Sequence, residues 1–216
     1  MIPAAILLDY DGTLADGERA WHFAHQQVAA DLGGYMPDPV AASLVGVDLA
    51  TSVATVRACA GRPATDSDIA GRLLRLVEAH YRDGVEWLPG AQAFLHHVAA
   101  HGVPMALVTS TARCLIRVAL PPPERALFTA VVCGDDVVVG RGKPHPEPYL
   151  RAAAQLIVPP AACFAIEDSA PGAASARAAG ATVLTVGPNP APDGHVHRHG
   201  LVGLTLDTID ALVPAP

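Results

Sequence analysis

Ala4-Ala5-Ile6-Leu7-Leu8-Asp9-Tyr10-Asp11-Gly12-Thr13-Leu14 is the segment from which the fold of this chain is most readily predicted. Residues 4–8 form a short, uncharged apolar run, which is typical of a buried parallel strand. Because residues i and i+2 of an extended chain share a side, Asp9 and Asp11 are expected to face one pocket. Gly12 lets the backbone turn and approach a ligand closely. An ordinary polar turn, or a calcium loop, is the alternative on this segment alone.

The composition indicates a globular protein with one well-buried domain, or one domain carrying an insertion. The chain has 216 residues, of which 51% are hydrophobic and 16% charged, and this balance excludes a disordered chain. The formal charge of −7 disfavours a broad surface for nucleic acid or anionic membrane, so we predict neither partner. The oligomeric state stays open, and a monomer is compatible with the sequence.

Three features favour a cytoplasmic protein. The four cysteines show no C-x-x-C pairing, and three of them lie in or beside apolar runs, which favours free thiols in a reducing compartment. The first residues contain neither a basic segment nor a cleavage site, so we predict no signal peptide. No apolar run approaches the length of a membrane span.

Residues 16–83 are predicted to be entirely helical. One face of the first helix carries the apolar residues Trp21, Ala24, Val28 and Leu32. Residues 40–60 are mostly apolar and are expected to hold two short helices. Thr65 is the expected N-cap of a further helix, because acidic residues follow it in the first turn.

From Gly84 onward, apolar runs of strand length alternate with segments of helical pattern. The predicted strands are 103–108, 130–133, 162–166 and 182–186, with 201–206 as a short edge strand before a final helix. This alternation is typical of a parallel sheet covered by helices on both faces. We therefore predict a doubly wound parallel α/β fold with a Rossmann-like core formed by residues 1–15 and 84–216, into which an all-helical domain, residues 16–83, is inserted.

Residues suited to phosphate chemistry stand at the ends of three predicted strands. These residues are Asp9 and Asp11, Thr109 and Ser110, and Glu167 and Asp168. The carboxyl ends of parallel strands meet at one edge of a sheet, where ligands bind in open α/β folds. Lys143, the only lysine of the chain, precedes the helix that leads into the strand 162–166 and can reach the same edge. The sequence therefore predicts a phosphate site there.

Together these segments resemble the four motifs of the haloacid dehalogenase (HAD) superfamily of phosphohydrolases. The resemblance rests on Asp9-x-Asp11-Gly12-Thr13, the strand ending in Thr109, Gly142-Lys143-Pro144, and Glu167-Asp168-Ser169-Ala170-Pro171-Gly172. It covers essentially the whole chain. The helical segment 16–83 is similar to the small cap domain of the subgroup that contains β-phosphoglucomutase and phosphoglycolate phosphatase.

The resemblance implies a role for each acid of the first motif. Asp9 would be the nucleophile that forms an aspartyl-phosphate, and Asp11 would protonate the leaving oxygen and then activate water. Thr109, Ser110 and Lys143 would hold the phosphoryl oxygens of a small phosphate ester.

The resemblance also implies a magnesium ion, a hard cation that prefers oxygen ligands. Asp9, the main-chain carbonyl of Asp11 and Asp168 would bind it, while Glu167 would act through water or from behind the ligands. Asp168 could instead cap the helix that begins near Ala170.

Departures from the family narrow the predicted activity. Asp11 is present, which argues against a dehalogenase, and the cap has no lysine for the Schiff base of a phosphonoacetaldehyde hydrolase. The cap histidine of β-phosphoglucomutase falls on Trp21, and its phosphate-holding arginine falls on Leu49. We therefore predict a phosphatase for a small metabolite, such as a sugar phosphate or a phosphoglycolate-like ester. A phosphosugar mutase of the β-phosphoglucomutase type and a non-catalytic phosphate-binding module are the alternatives.

Several further polar residues are candidates for specificity or metal binding. The cap residues that could set specificity, each expected to be surface-exposed, are His22, His25, Arg57 and Arg72. The cap loop Gly46-Val47-Asp48-Leu49 has one acid and no base, which argues against a second phosphate on the substrate. A histidine-rich segment could be a metal site, although a solvated loop is favoured; its histidines are His195, His197 and His199.

Overall fold

A six-stranded parallel sheet forms the centre of the structure, a computed structural model that describes residues 2–188 and 196–212. The strands are β1 (Ala5–Leu8), β2 (Met105–Val108), β3 (Ala130–Val132), β4 (Cys163–Glu167), β5 (Thr182–Val186) and β6 (His197–Arg198). Their order is β3-β2-β1-β4-β5-β6, and every adjacent pair is parallel. The predicted parallel α/β fold is confirmed.

The position of β1 explains why the functional motif follows it. β1 pairs with β2 on one side and with β4 on the other, and all four of its residues are buried. The strand order reverses around β1, so the carboxyl ends of β1, β2 and β4 form the crevice where open α/β sheets bind ligands.

Helices cover the sheet and fill the segment between β1 and β2. The helices are α1 (Glu18–Asp31), α2 (Asp38–Ala42), α3 (Leu49–Cys59), α4 (Asp66–Arg82), α5 (Ala91–Ala100), α6 (Arg113–Ala119), α7 (Pro122–Arg125), α8 (Glu147–Leu156), α9 (Ala170–Ala178) and α10 (Leu206–Leu212). Within the two described ranges, every helix is too short or too polar to cross a lipid bilayer.

The first four helices pack mainly on one another. α1 contacts α3 and α4, and α4 also contacts α6 of the sheet-covering layer. The two crossings of the chain lie side by side, because the Asp16 amide donates to the Glu86 carbonyl at 2.9 Å and the Leu88 amide to the Leu14 carbonyl at 2.9 Å. The assignment of residues 16–83 to a separate cap domain stays a prediction.

The predicted start of α4 is confirmed by its hydrogen bonds. The Thr65 side chain accepts a hydrogen bond from the Asp68 amide at 3.1 Å, as an N-cap residue does. Ile69, Leu73 and Val77, spaced by one turn each, are buried on one face. A spacing of four residues is close to the 3.6-residue period of an α-helix, so these side chains share one face.

The predicted edge strand at residues 201–206 is wrong. The edge strand is β6, in which His197 pairs with Thr185 of β5. Residues 201–204 instead form a turn, since the Leu204 amide donates to the Leu201 carbonyl at 3.0 Å and Gly203 has a φ of +70°. A left-handed residue interrupts an extended chain. Leu201 and Leu204 are buried, so their apolar character reflects burial and not an extended strand.

Candidate active site

Lys143 occupies the centre of a buried cluster at the carboxyl ends of β1, β2 and β4. Its ammonium Nζ donates to Asp9 Oδ1 at 2.6 Å and to the Val108 carbonyl at 2.9 Å, and lies 2.5 Å from Glu167 Oε1. All three protons of the ammonium therefore have an acceptor. The side chains of Lys143, Asp9 and Glu167 are almost completely buried. The structure brings these three predicted residues together.

Burial and charge shift the pKa values of this cluster in opposite directions. Burial raises the pKa of Asp9 to about 7, while the Lys143 ammonium opposes that rise and Glu167 adds to it. Burial alone would lower the pKa of Lys143, but the carboxylates of Asp9 and Glu167 raise it by more. Lys143 is consequently charged throughout the physiological range, and it favours the ionised form of Asp9.

Three carboxylates of this cluster could hold a divalent cation. One oxygen each of Asp9, Glu167 and Asp168 lies within 4.8 Å of the others. Three acids and one lysine give the cluster an excess of negative charge when all are ionised, and hard oxygen donors are the ligands that Mg²⁺ prefers. Burial, Asp9 and Glu167 raise the pKa of Asp168 well above its ordinary value. A bound cation would lower it again.

Asp168 is placed against the turn that follows β1. Thr13 Oγ1 donates to Asp168 Oδ1 at 3.3 Å. Gly12 has a φ of +80°, and a Cβ atom there would lie 2.0 Å from Asp168 Oδ2. The alternative role of Asp168 as a helix cap is wrong, because Ser169 caps α9 by accepting a hydrogen bond from the Gly172 amide at 3.1 Å.

Glu167 is fixed by hydrogen bonds on both of its oxygens. The Tyr149 hydroxyl donates to Oε1, and Ser169 Oγ donates to Oε2 at 3.1 Å. Gly172 lets α9 approach, since a Cβ atom there would lie 2.1 Å from the carboxylate. No sequence motif identifies Tyr149. Glu167 belongs to the acidic cluster itself, whereas metal binding by the Asp11 carbonyl stays a prediction.

The Asp11 carboxylate points toward the helical segment and not into the acidic cluster. Thr111 Oγ1 donates to its Oδ2 at 2.6 Å, and the Tyr81 hydroxyl, from α4, donates to its Oδ1 at 2.5 Å. Burial raises the pKa of Asp11, and these two hydrogen bonds lower it in part. A carboxyl group with a raised pKa is suited to proton transfer. Thr111 and Tyr81 were not assigned roles from the sequence.

Asp9 and Asp11 open on one cavity, as their i, i+2 spacing predicts. The cavity, including its mouth, has an empty volume of about 450 Å³. The end of β2 supplies one wall with Thr109, Ser110 and Thr111. The helical segment supplies the opposite wall, formed by Glu18, Trp21, His25, Leu44, Gly46, Val47, Leu49 and Ser52. None of the described residues that line it is a lysine or an arginine.

The two walls are joined by Ser110, whose Oγ donates to the Gly46 carbonyl at 3.1 Å. Ser110 therefore contacts the loop between α2 and α3, and its predicted binding of phosphate, like that of Thr109, stays a prediction. Glu18, the first residue of α1, lines the cavity. Burial, followed by the charges of Asp11 and Asp9, raises the pKa of Glu18 to about 8. No sequence motif identifies Glu18.

Of the four cap residues considered for specificity, only His25 lines the cavity. The expectation that His25 is exposed is wrong: it is 2% exposed, because it lies one helical turn from Trp21 on the inner side of α1. His22, Arg57 and Arg72 instead pair with acids of the helical segment; those acids are Asp38, Asp66 and Asp68.

The histidine-rich segment contributes nothing to the acidic cluster. His195 lies outside the described residues. His197 is in β6, half-buried, with Nδ1 3.2 Å from Thr185 Oγ1, so the prediction of a solvated loop is wrong for it. His199 is exposed. Within the described ranges, the group formed by Asp9, Glu167 and Asp168 is the only close set of three metal-binding side chains.

Comparisons with known proteins agree with this geometry. A family model described as haloacid dehalogenase-like hydrolase matches residues 3–180. Hexitol phosphatase A of Escherichia coli strain K12 is 36% identical over 215 residues, which cover 94% of this chain and 91% of the relative. Protein CbbY of Rhodobacter capsulatus is 34% identical over 191 residues, which cover 83% of each chain. The crystal structure of β-phosphoglucomutase from Clostridium difficile superposes with a TM-score of 0.85 over 98% of this chain and 96% of that one, at 19% identity, a likeness of fold alone.

Proposed function

The chain belongs to the haloacid dehalogenase-like hydrolases and is a phosphoric monoester hydrolase; from that premise we propose that it is a magnesium-dependent phosphatase for small metabolites. The leaving group of the substrate would be uncharged, and the reaction would pass through an aspartyl-phosphate on Asp9. The proposal rests on the position of Lys143, which pairs with both Asp9 and Glu167. An oxygen of Asp168 lies close enough to those two carboxylates for all three to bind one metal ion.

The charges of the cluster explain how an anionic ester could approach a carboxylate. Asp9, Glu167 and Asp168 would hold the cation, which when bound neutralises phosphoryl charge and favours the ionised form of Asp9. Lys143 would attract the phosphoryl oxygens from the side of β2, where Thr109 and Ser110 line the cavity. The Asp9 oxygen would then attack phosphorus while the bond from phosphorus to the leaving oxygen breaks.

Asp11 is placed to move the protons of both steps. Its raised pKa favours the protonated form, so it can donate a proton to the leaving alkoxide as the ester bond breaks. The resulting carboxylate can then remove a proton from the water that attacks the phosphorus of the aspartyl-phosphate. The bond from phosphorus to the Asp9 oxygen breaks and inorganic phosphate is released, so that Asp9 is again a carboxylate and Asp11 is again protonated. The hydroxyls of Thr111 and Tyr81 would orient the Asp11 carboxyl during this exchange.

The lining of the cavity supports a narrower substrate class than the sequence alone. A carboxylate or a second phosphate on the leaving group would be buried in this cavity, and none of the described lining residues is a lysine or an arginine that could pair with its charge. An uncharged polyol or sugar has no such conflict, and the relative Hexitol phosphatase A bears the name of such an activity. We therefore propose hexitol or sugar phosphates ahead of phosphoglycolate-like esters.

A panel of phosphate esters assayed with Mg²⁺ tests this proposal. We expect kcat/KM to be at least about tenfold higher for hexitol 6-phosphates than for phosphoglycolate, since one unpaired buried charge is worth that or more. Asp9→Asn should release no phosphate above background. Activity in Asp9→Asn, or a preference for phosphoglycolate, would contradict the proposal.

The same panel separates the phosphatase from the mutase. β-Glucose 1-phosphate incubated with the enzyme should yield free phosphate and glucose. Trp21 and Leu49, which line the cavity, replace the histidine and arginine that the mutase uses. Accumulation of glucose 6-phosphate would favour the mutase instead.

We also propose a cytoplasmic location. All four cysteines are free, and Cys133 and Cys163 are buried. Unpaired thiols support a reducing compartment.

A further inference from the structure

His25 is a buried polar side chain without a hydrogen bond. It is 2% exposed, and neither Nδ1 nor Nε2 has a hydrogen-bond partner among the described residues. Native proteins rarely leave a buried polar side chain unpaired, and each such group calls for an explanation. His25 lines the same cavity as Asp9 and Asp11, so a ligand in that cavity can supply the missing partner.

The imidazole packs beside Trp21, and burial favours its neutral form. Its ring lies beside that of Trp21, with centroids 5.8 Å apart and an interplanar angle of 33°. Burial, and to a smaller extent His22, lowers the pKa of His25 to about 4. A neutral imidazole has one N–H donor and one nitrogen acceptor. A hydroxyl group, which both donates and accepts, matches either nitrogen.

His25 lines the cavity on the side of the helical segment, away from the end of β2. The phosphoryl group is expected at Asp9 and at the wall formed by the end of β2, opposite α1. Most other side chains of the wall that contains His25 are apolar: Trp21, Leu44, Val47 and Leu49. They exclude water but offer no strong hydrogen bond to a leaving-group hydroxyl. His25, together with Glu18 and Ser52, supplies the polar groups on this side.

We propose that His25 is a specificity-determining residue whose imidazole hydrogen-bonds to a hydroxyl of the leaving group, so that polyhydroxylated phosphate esters are preferred to esters without such a hydroxyl. The proposal rests on the proposed function and deepens it. It attributes the choice of substrate to a residue of α1 that takes no part in proton or phosphoryl transfer.

The test compares two esters in the Mg²⁺-loaded full chain. The His25→Phe variant keeps a planar ring and removes both nitrogens. Its kcat/KM for sorbitol 6-phosphate should fall about 10–100-fold, the usual effect of leaving one substrate hydrogen bond unmade in a buried site. Its kcat/KM for phenyl phosphate, which has no leaving-group hydroxyl, should stay within about twofold. The His25→Gln variant, which keeps a donor and an acceptor, should recover part of the loss.

Two controls separate recognition from folding. His96→Phe, at an exposed position of α5, should leave both kcat/KM values unchanged. The thermal midpoint of His25→Phe should equal or exceed that of wild type, because two unpaired buried nitrogens are removed.

An equal loss on both esters, or no loss on either, would overturn the role of His25. A His25→Phe midpoint well below that of wild type, with equal losses on both esters, would assign His25 to packing and overturn it too. Failure of the proposed function would look different: wild type itself would release phosphate from neither ester, which overturns both.

Discussion

Lys143 determines the charge balance of the site at the scale of single residues. It pairs with two carboxylates in a site that water hardly reaches. Replacing it by methionine would leave Asp9 and Glu167 buried without their cation. Removing one partner of such a group typically costs about 3–5 kcal/mol. We expect Lys143→Met to lower the free energy of unfolding by about that amount in urea titrations with EDTA, and to abolish activity.

A surface ion pair provides the matched control. Arg151 pairs with Glu147 across one turn of α8, and the Arg151 side chain is 43% exposed. Arg151→Met should lower the free energy of unfolding far less than Lys143→Met does, because exposed ion pairs contribute little to stability. Equal costs for Arg151→Met and Lys143→Met would contradict the buried charge network.

Glu18 should make stability depend on pH. Its pKa is raised by burial from the ordinary 4.5 to about 8 in the folded chain, so the folded state binds more protons than the unfolded state between these values. The contribution of Glu18 to the free energy of unfolding therefore falls as pH rises through this window. Between about pH 5 and pH 8 without metal, Glu18→Gln should gain about 1–3 kcal/mol relative to wild type. A difference that is constant with pH would contradict this.

The sequence indicates the residues of the acidic cluster but not the helical side chains that hydrogen-bond to the site or line its cavity. Asp9 and Asp168 stand in recurring short motifs at strand ends, so their meeting follows from the topology of a parallel sheet. Tyr81, Tyr149 and His25 reach the site from helices, and only tertiary packing decides which face of a helix turns inward. A histidine in an amphipathic helix has the same local pattern whether it is buried or exposed.

α4 shows, at the scale of elements, how a local sequence signal supports the site from a distance. Thr65 caps its first turn, and Tyr81, near its end, donates to Asp11. Thr65→Ala should lower the free energy of unfolding by about 1 kcal/mol, the usual effect of losing an N-cap. Thr65→Ser should retain most of that stability. Urea titration of both variants measures it, and a Thr65→Ala variant as stable as wild type would contradict the cap.

The edge of the sheet shows where local patterns are insufficient. The central strands β1, β2 and β4 are buried on both faces, and their uninterrupted apolar runs identify them. β6 has two residues, both polar, and exists because its backbone pairs with β5. Leu201, Leu204 and Leu206 are buried without being extended, and a period-2 pattern cannot distinguish such residues from a strand.

The whole molecule should be more stable with Mg²⁺ than without it. A ligand that binds only the folded state stabilises by about 2.7 kcal/mol at 100 times its Kd. For a chain of this length we expect the thermal midpoint to rise by about 5–10 °C under that condition. Asp168→Asn, which loses one charged oxygen of the cluster, should show a clearly smaller rise at the same Mg²⁺ concentration. Equal rises would contradict a cation at Asp168.

At the scale of the whole molecule, the helical segment is connected to the sheet by two chain crossings and contacts it across the cavity. They run side by side through the backbone hydrogen bonds of Leu14 with Leu88 and of Asp16 with Glu86. The Ser110–Gly46 hydrogen bond joins the two walls of the cavity. Sequence patterns locate the crossings, since the helical pattern gives way to alternating strands near Gly84. They cannot locate the contact between walls, which depends on two loops distant in sequence.

Phosphorylation of Asp9 is tested most directly by rapid-quench kinetics on Asp11→Asn with p-nitrophenyl phosphate. The nitrophenolate leaves without needing a proton, whereas the water step still needs the base that this variant lacks. We predict a burst of nitrophenol stoichiometric with enzyme, then slow turnover, with acid-stable phosphate trapped on the peptide that contains Asp9. The absence of a burst together with no phosphate on the protein, or phosphate on a different peptide, would contradict the mechanism.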